Sequence, residues 1–363
     1  MIFYFFTKTN WDEPPRIRHQ LAHLLIKNNH EVFFFQKPKQ NFSTKTKAKS
    51  LKGITLLRYS EFLHHQLRPG KYTQIVNGLF CKKNIRKAIK DLPLPDVIIN
   101  FNYDYYFLRE IFPQITIVTL LNDDFVGSAK QWMKKESNRV LLKTIEMSDK
   151  TITVSNYIKD YLYPKKNISL FLPWSETGYH KPLEKKERKT ILYFGYINSK
   201  RIDLPLLEKI INCTDYNFNI IGYLEEKPSK ILKSIFNNKR VKFLGPMNIE
   251  SINFEEIFCS IVPYNILHPH AKTITLNNRT FQLLSRGIPQ VIIKLPYLLN
   301  IDKEIVWQAD TTNNFIDGIQ YFQRNFYKVQ KPIEKFVNAN DLKTRTEELM
   351  RFIEISKTNR QKI

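Results

Sequence analysis

Residues 260–294, SIVPYNILHPHAKTITLNNRTFQLLSRGIPQVIIK, carry side chains whose spacing suits an anion. Asn277 or Asn278 can cap a helix that stops at Gly287, and Phe281 and Leu284, three apart, give it an inward face. Arg279 and Gln282 share that spacing and fall on its first turns, where unbonded backbone amides and the helix dipole favour negative charge. With Asn278 and Thr280 on the same turn and His270 and Lys272 in the loop before it, the expected ligand is a nucleotide diphosphate. A second loop, GYINSKRID at 195–203, follows the apolar run ILYF. Gly195 lets backbone approach a phosphate there, and Lys200 and Arg201 add charge ahead of the next helix, with plain solvated surface as the competing reading. The loop has neither GxGxxG nor GxxxxGK[ST], so neither a dinucleotide fingerprint nor a P-loop is indicated.

The N-terminal half offers carboxylates. Asn122, Asp123, Asp124 and Phe125 follow an apolar strand at 115–121, and acids at the carboxyl end of a parallel strand point into the crevice where such sheets bind ligands. Asp123 is therefore the first candidate for a general base, ahead of Asp12, His19 and Asp124. Trp11 and the aromatics of residues 103–106 can stack on a sugar. Each has a plainer alternative: His19 packs on its helix, Asp124 caps a loop, and the aromatics fill gaps between elements. His268 and His270 flank Pro269 without Cys or carboxylate at ligand spacing, so no metal is expected and no cofactor is required.

Those side chains need a scaffold, and the scaffold reads as α/β. Strands are expected at 2–6, 31–35, 55–58, 97–101, 115–121, 151–154 and 168–172, with helices at 16–28, up to about residue 90, and at 128–147. The loop through Trp11, Asp12 and Pro15 leaves the first strand, and residues 37–53 read as a mobile basic loop without apolar period. WSETGYHKPLEKKERK, polar and bracketed by prolines, reads as a hinge. Strands then recur at 190–194, 218–221, 241–244, 259–262, 290–293 and 305–308, with helices at 203–212, 229–236, 278–286 and 312–326. The expected division is 1–173, 174–340, and a terminal helix in 341–363 that packs back across the hinge. Two doubly wound Rossmann-like domains would face a shared cleft.

Composition fits this. A chain of 363 residues with 42% hydrophobic and 13% aromatic residues can bury two cores. No window approaches about 18 uninterrupted apolar residues, and the apolar N-terminus is too short for a secretory segment, so a cytoplasmic location is expected. Cys81, Cys213 and Cys259 are isolated and read as buried thiols. The net charge of +23 calls for anionic partners. Between Lys37 and Lys90 stand fourteen Lys or Arg against one acid, Glu61, which reads either as an ordinary solvated basic face or as a docking face for an anionic membrane surface, with a peripheral place on the inner face of the cytoplasmic membrane. Nucleic acid is the reading from charge alone, and without an RNP, KH or zinc-finger signature it is not expected as a partner.

The collinear series FGYINSKRIDLPLLEKI, FNIIG, VKFLG, IVPY and NNRTFQLLSRGIPQVI resembles the C-terminal half of retaining GT-B glycosyltransferases of the GT4-like (glycosyl transferase group 1) family. RIRHQLAHLLIKNNHEVFFF, LLNDDF and SDKTITVSNYIKDYL are similar to that family's first domain. The resemblance implies GT-B architecture and transfer of a hexosyl unit from a nucleotide-sugar donor on the second domain to a glycan or lipid-linked acceptor on the first, in surface-polysaccharide synthesis, without an obligatory metal. It places Arg201 where the family has a lysine on the donor diphosphate, and Tyr196 where it has an arginine. The family's two glutamates fall on Ile274 and Gln282. Gln282 can still bond ribose hydroxyls, and Arg279 matches a lysine that some relatives carry. Arg201 and Arg279 would stabilise the leaving diphosphate. Retention asks for no dedicated base, whereas inversion would use Asp123. The loss of both glutamates leaves open a non-catalytic sugar-binding relative.

Overall fold

The computed structural model describes residues 1–13, 16–40, 47–64, 67–68, 70–163, 167–184, 187–224 and 227–360. Pro15, residues 41–46 of the basic loop, residues 185–186 of the expected hinge and residues 361–363 lie outside them. The chain divides into two compact units, one of residues 1–172 with 346–363 and one of residues 173–345.

The first unit runs β1 (Ile2–Phe6), α1 (Ile17–Lys27), β2 (Glu31–Phe35), β3 (Lys39–Gln40), β4 (Lys47–Leu51), β5 (Ile54–Arg58), β6 (Ser60–Glu61), α2 (Lys71–Ala88), β7 (Val97–Asn100), α3 (Leu108–Ile111), β8 (Thr116–Leu121), α4 (Lys134–Glu146), β9 (Lys150–Thr153) and β10 (Ile168–Leu170). Its main sheet has the order β10-β9-β8-β7-β1-β2-β5-β4, parallel except for β4. β1 and β2 are IFYFF and EVFFF, and Phe3, Phe5, Phe6, Phe34 and Phe35 are fully buried. Aromatics on both faces of a strand are what a parallel sheet covered on each side requires. Phe6 stacks on Phe35 at 4.4 Å across the β1–β2 pair.

Residues 37–53 do not form the expected loop alone. Lys47–Leu51 pairs antiparallel with Ile54–Arg58, turning through Gly53 at φ +75°, and Lys39–Gln40 pairs with Ser60–Glu61. Apolar periodicity is a poor detector of such a strand, because it sits at the sheet edge, where lysines are favoured for discouraging further pairing. The expected helix at 128–147 is shorter: a 3-10 turn at Gln131–Met133 leads into α4.

The second unit runs β11 (Thr190–Phe194), α5 (Leu204–Asn212), β12 (Asn217–Ile221), α6 (Lys230–Asn237), β13 (Val241–Gly245), β14 (Ile257–Val262), α7 (Asn278–Ser285), β15 (Gln290–Ile293), β16 (Val306–Ala309), α8 (Thr312–Asn325) and α9 (Gln330–Ala339). The sheet is wholly parallel, in the order β13-β12-β11-β14-β15-β16. That order reverses between β11 and β14, and in the first unit between β1 and β7, so each sheet has the topological switch point where ligands bind in doubly wound folds. The core joins Ile191, Leu192, Phe258, Ile261, Leu284 and Val291 under α5, α7 and α8. Cys81 and Cys259 are buried as expected, whereas Cys213, at the C-terminal end of α5, is exposed. α9 was not expected from sequence. Pro332 breaks its apparent pattern, yet it stands in the first turn, where no backbone donor is needed. α10 (Leu342–Arg360) follows, and from Thr346 onward it belongs to the first unit, where Phe352 packs on Phe171 at 6.3 Å.

Candidate functional site

At the switch point of the second unit, the loops after β11 and β14 flank the start of α7. The N-cap of α7 is Asn277, whose Oδ1 accepts from Thr280 N at 2.9 Å, while its Nδ2 donates to the Tyr264 hydroxyl at 3.0 Å. Arg279 then points back over the sheet edge. Nη1 donates to the Phe194 carbonyl at 2.7 Å and Nη2 to the Tyr264 hydroxyl at 3.3 Å. Burial opposes its charge, but the hydroxyls of Tyr264 and Tyr193 more than offset this and hold its pKa above the ordinary value. Gly195 makes that pose fit: a Cβ there would stand 1.3 Å from Nη1, and its φ of +151° is one that side-chain-bearing residues rarely adopt. Gly195 and Arg279, chosen separately from sequence, thus form one feature. The arginine is held rather than mobile, which suits it to stabilise charge without reorganising.

The same edge is built from repeated glycines. Gly195, Gly222 and Gly245 end β11, β12 and β13. Gly222 donates to the Gly245 carbonyl at 2.9 Å, and a Cβ on Gly222 would meet the Gly195 carbonyl oxygen at 1.7 Å. Tyr196 and Tyr223, each next in the chain, stack at 5.6 Å and 24° with both rings exposed. Backbone pairing of Ile197 with Leu224 and of Ile202 with Tyr264 joins the three loops into a rim. The FGY/IGY recurrence was readable in the sequence, and neither Gly222 nor Tyr264 was singled out as a site residue.

The other second-unit candidates are spread around this centre. Lys200, Arg201 and Lys272 are exposed on the rim loops. His268 accepts from His270 N at 3.2 Å, and Thr273 bonds the His270 carbonyl, so the two histidines shape a 3-10 turn at Pro269–Thr273. Asn278 is half-buried with an Oδ1 that meets no donor among the described residues, Thr280 is buried, and Gln282 is half-buried. Ile274 is part of the apolar core.

In the first unit, the loops after β1 and β7 meet at the switch point through ions. Lys8 Nζ lies 2.8 Å from both carboxylate oxygens of Asp104, and Arg68 bonds Asp104 at 2.5 Å and Glu61 at 2.6 Å, with Arg68, Glu61 and Asp104 buried. Burial opposes the Arg68 charge, and the two carboxylates overcome it, so its pKa stands above the ordinary value. Beside this sits a residue that sequence reasoning missed. Arg18, the second residue of α1, is 7% exposed and lies over the Phe101 ring at 5.9 Å. Its Nε meets no acceptor among the described residues, nor does buried Asn102 Nδ2 meet one. Burial pushes the Arg18 pKa down to about 10, with Arg16 adding to the effect and Glu13 and Asp123 opposing it. In the sequence, Arg18 sits inside an amphipathic helix, and only its placement toward the core side marks it.

Asp123 is exposed at the end of β8, and Asp124 closes a turn by accepting from Gly127 N at 2.7 Å. Asp12 is exposed. His19 holds its own loop: Nδ1 accepts from Arg16 N at 3.1 Å, and Nε2 lies 3.1 Å from the Asn10 carbonyl, which fixes a neutral ring with Nε2 as donor. Burial lowers its pKa. Trp11 packs on His19, His23 and Phe34 at 5.0–5.3 Å. Among the described residues, no three His, Cys, Asp or Glu side chains lie close enough to share a metal ion, and no helix is long and apolar enough to cross a membrane.

No protein-family model matches the chain, and no curated protein matches it by sequence. Solved structures match it along nearly its whole length. Sucrose-phosphate synthase from Thermosynechococcus elongatus superposes at a TM-score of 0.67 with 9% identity, covering 97% of this chain and 98% of that one. The lipopolysaccharide outer core galactosyltransferase WaaB gives 0.65 with 12% identity, covering 97% and 99%. An α,α-trehalose-phosphate synthase (UDP-forming) from Burkholderia vietnamiensis gives 0.63 with 9% identity, covering 98% and 99%. At these identities the likeness is one of architecture, and in architecture the chain is a GT-B-type α/β protein with two Rossmann-like units.

Proposed function

We propose that the protein is a glycosyltransferase that moves a hexosyl unit from a nucleoside-diphosphate sugar, held by the second unit, to a saccharide or lipid-linked acceptor held by the first. The observation that carries this reading is the Arg279 guanidinium, fixed over Gly195 at the start of α7 between the switch-point loops. A fixed cation at a helix start is suited to the negative charge of a diphosphate, and Lys200 and Arg201 supply further charge on the rim. In the step proposed, the acceptor hydroxyl oxygen bonds the anomeric carbon, the carbon–phosphate-oxygen bond breaks with its electron pair on the diphosphate, and the hydroxyl proton passes to a phosphate oxygen. Arg279 and Arg201 neutralise the developing charge, and retention follows from attack on the face the diphosphate leaves. Asp123 is the residue that would serve as base if the outcome were inversion. Synthesis of surface polysaccharide at the cytoplasmic side of a membrane is the proposed setting, supported by the basic 37–90 segment and by the resemblance to enzymes of that kind.

Ile274 favours a second reading. An apolar core residue stands where the resembled family has a carboxylate, which suits a relative that binds a nucleotide sugar without turning it over. A thermal-shift screen of nucleoside diphosphates and nucleotide sugars, followed by turnover assays on each stabilising donor, separates the two. Stabilisation that Arg279→Ala abolishes is expected under both readings, and turnover only under the first. No stabilisation by any nucleoside diphosphate would sink both. The anomeric configuration of the product, read by proton NMR, decides between retention and inversion.

A further inference from the structure

Helix α2 has apolar residues on both sides. Its buried side mixes Cys81 and Ile85 with the polar Gln74, Asn77 and Asn84, none more than 3% exposed, while Tyr72, Ile75, Val76 and Leu79 are 84%, 39%, 51% and 56% exposed. The inward polar residues have work there: Asn77 Oδ1 accepts from Leu63 N at 2.9 Å, and Asn84 Nδ2 donates to the Ser60 carbonyl at 3.1 Å, which ties α2 to the segment before it. The outward four stand at i, i+3, i+4 and i+7, a single stripe. The same stripe continues through Lys83, Arg86 and Lys87 to Lys90, and Lys71 and half-exposed Leu67 precede it.

We propose that this stripe is a docking surface for an anionic lipid bilayer. Apolar residues alone would suit many partners, so charge selects this one. From Lys37 to Lys90 the only acid is Glu61, and Glu61 is buried and paired with Arg68. The exposed face of α2 thus couples insertable side chains to an excess of basic ones, with Glu110 at its side taken up by Lys82, the pattern of a helix lying in a membrane interface. Its apolar half is the end nearest the carboxyl edge of the sheet, because Arg68, just ahead of α2, bonds Asp104 in the loop after β7. This deepens the proposal of a lipid-linked acceptor and rests on that reading only for its purpose; the surface would bind lipid whether or not the protein transfers sugar.

Flotation with phosphatidylcholine vesicles containing phosphatidylglycerol tests it, with nucleoside-diphosphate binding and thermal unfolding measured on the same samples. The wild-type chain should float with anionic vesicles and not with neutral ones, and 0.5 M salt should weaken its binding. Leu79→Asp should lower partitioning at least tenfold, and Lys83→Gln about fivefold, with unfolding and nucleotide binding unchanged in both. Because both sites are exposed, folding provides the control. Failure of the wild type to float, or flotation of folded Leu79→Asp at wild-type level, overturns the proposal. So does a wild-type dimer that Leu79→Asp dissociates without effect on flotation, since the stripe would then face a second copy. Loss of nucleotide binding with flotation intact would count against the transferase reading alone.

Discussion

Replacing Gly195 with alanine tests whether this glycine exists to seat Arg279. The added Cβ would lie 1.3 Å from Nη1, so the guanidinium must leave. It then forfeits the 2.7 Å bond to the Phe194 carbonyl and the weaker 3.3 Å bond to Tyr264. Bonds from a charged donor are worth about 1.5–3 kcal/mol, and holding alanine at φ +151° costs about 1–3 kcal/mol more. Together these predict a loss of roughly 3–6 kcal/mol of stability. Binding should suffer separately. If the seated guanidinium gives one charged hydrogen bond to a diphosphate, its displacement weakens binding by about ten- to 150-fold. The assay is calorimetric titration of the best nucleoside diphosphate into wild type, Gly195→Ala, Arg279→Ala and the double variant, with urea unfolding of all four. In the Arg279→Ala background, alanine at 195 should cost only its backbone strain and should not weaken binding further. Wild-type affinity in Gly195→Ala, or full additivity of the two losses, would refute the reasoning, because it would mean that glycine and arginine act independently.

Four other outcomes follow from the same geometry. Arg18→Met should stabilise the first unit by about 1–3 kcal/mol, by removing a buried charge without a full set of partners; thermal unfolding reads the effect, and destabilisation would mean that the guanidinium has a structural partner. Arg68→Met should do the reverse, costing about 3–5 kcal/mol in urea unfolding, since buried Glu61 would lose the guanidinium it pairs with and Asp104 would be left with Lys8 alone. The His19 pKa is lowered in the fold, so its contribution to stability is complete above the unfolded value of about 6.5 and is lost as pH falls through it. Unfolding temperature should therefore drop from pH 7.5 to 5.5, less so in His19→Gln, and equal slopes would count against the assignment. Gly222→Ala should be nearly as costly to stability as Gly195→Ala, because its Cβ meets the Gly195 carbonyl at 1.7 Å, and a loss under 1 kcal/mol would show that the edge relaxes.

Much of the α/β plan was legible because a buried parallel strand writes itself as an apolar run. IFYFF, TIVTLL and IFCSIV need no partner to be recognised. What escaped was decided by neighbours. The lysine-rich strand β4 is defined by pairing with β5, and the start of α9 is masked by Pro332. In α2 the period of the exposed stripe is in the sequence, but the direction it faces is not, since it depends on Asn77 and Asn84 finding backbone partners in the segment at 60–63. The site shows the same limit. Gly195 and Arg279 were identifiable as types suited to phosphate, whereas their mutual contact, 84 positions apart in the chain, is a property of the switch point. Arg18 gave no local signal, because an arginine in a first helical turn is ordinary until burial deprives it of water.

The glycine edge of the second unit has a consequence for how such a site can diversify. Gly195 is confined by Arg279, and Gly222 by Gly195, so the two positions are locked in series and neither can accept a side chain independently. Tyr196 and Tyr223, one residue further along each loop, are exposed and touch each other. Substitution there changes the wall of the site and leaves its floor intact. Single steps at 196 and 223 could therefore alter what the rim presents, each tested by selection without passing through an unfolded intermediate, while the contact of Arg279 with Gly195 stays fixed beneath.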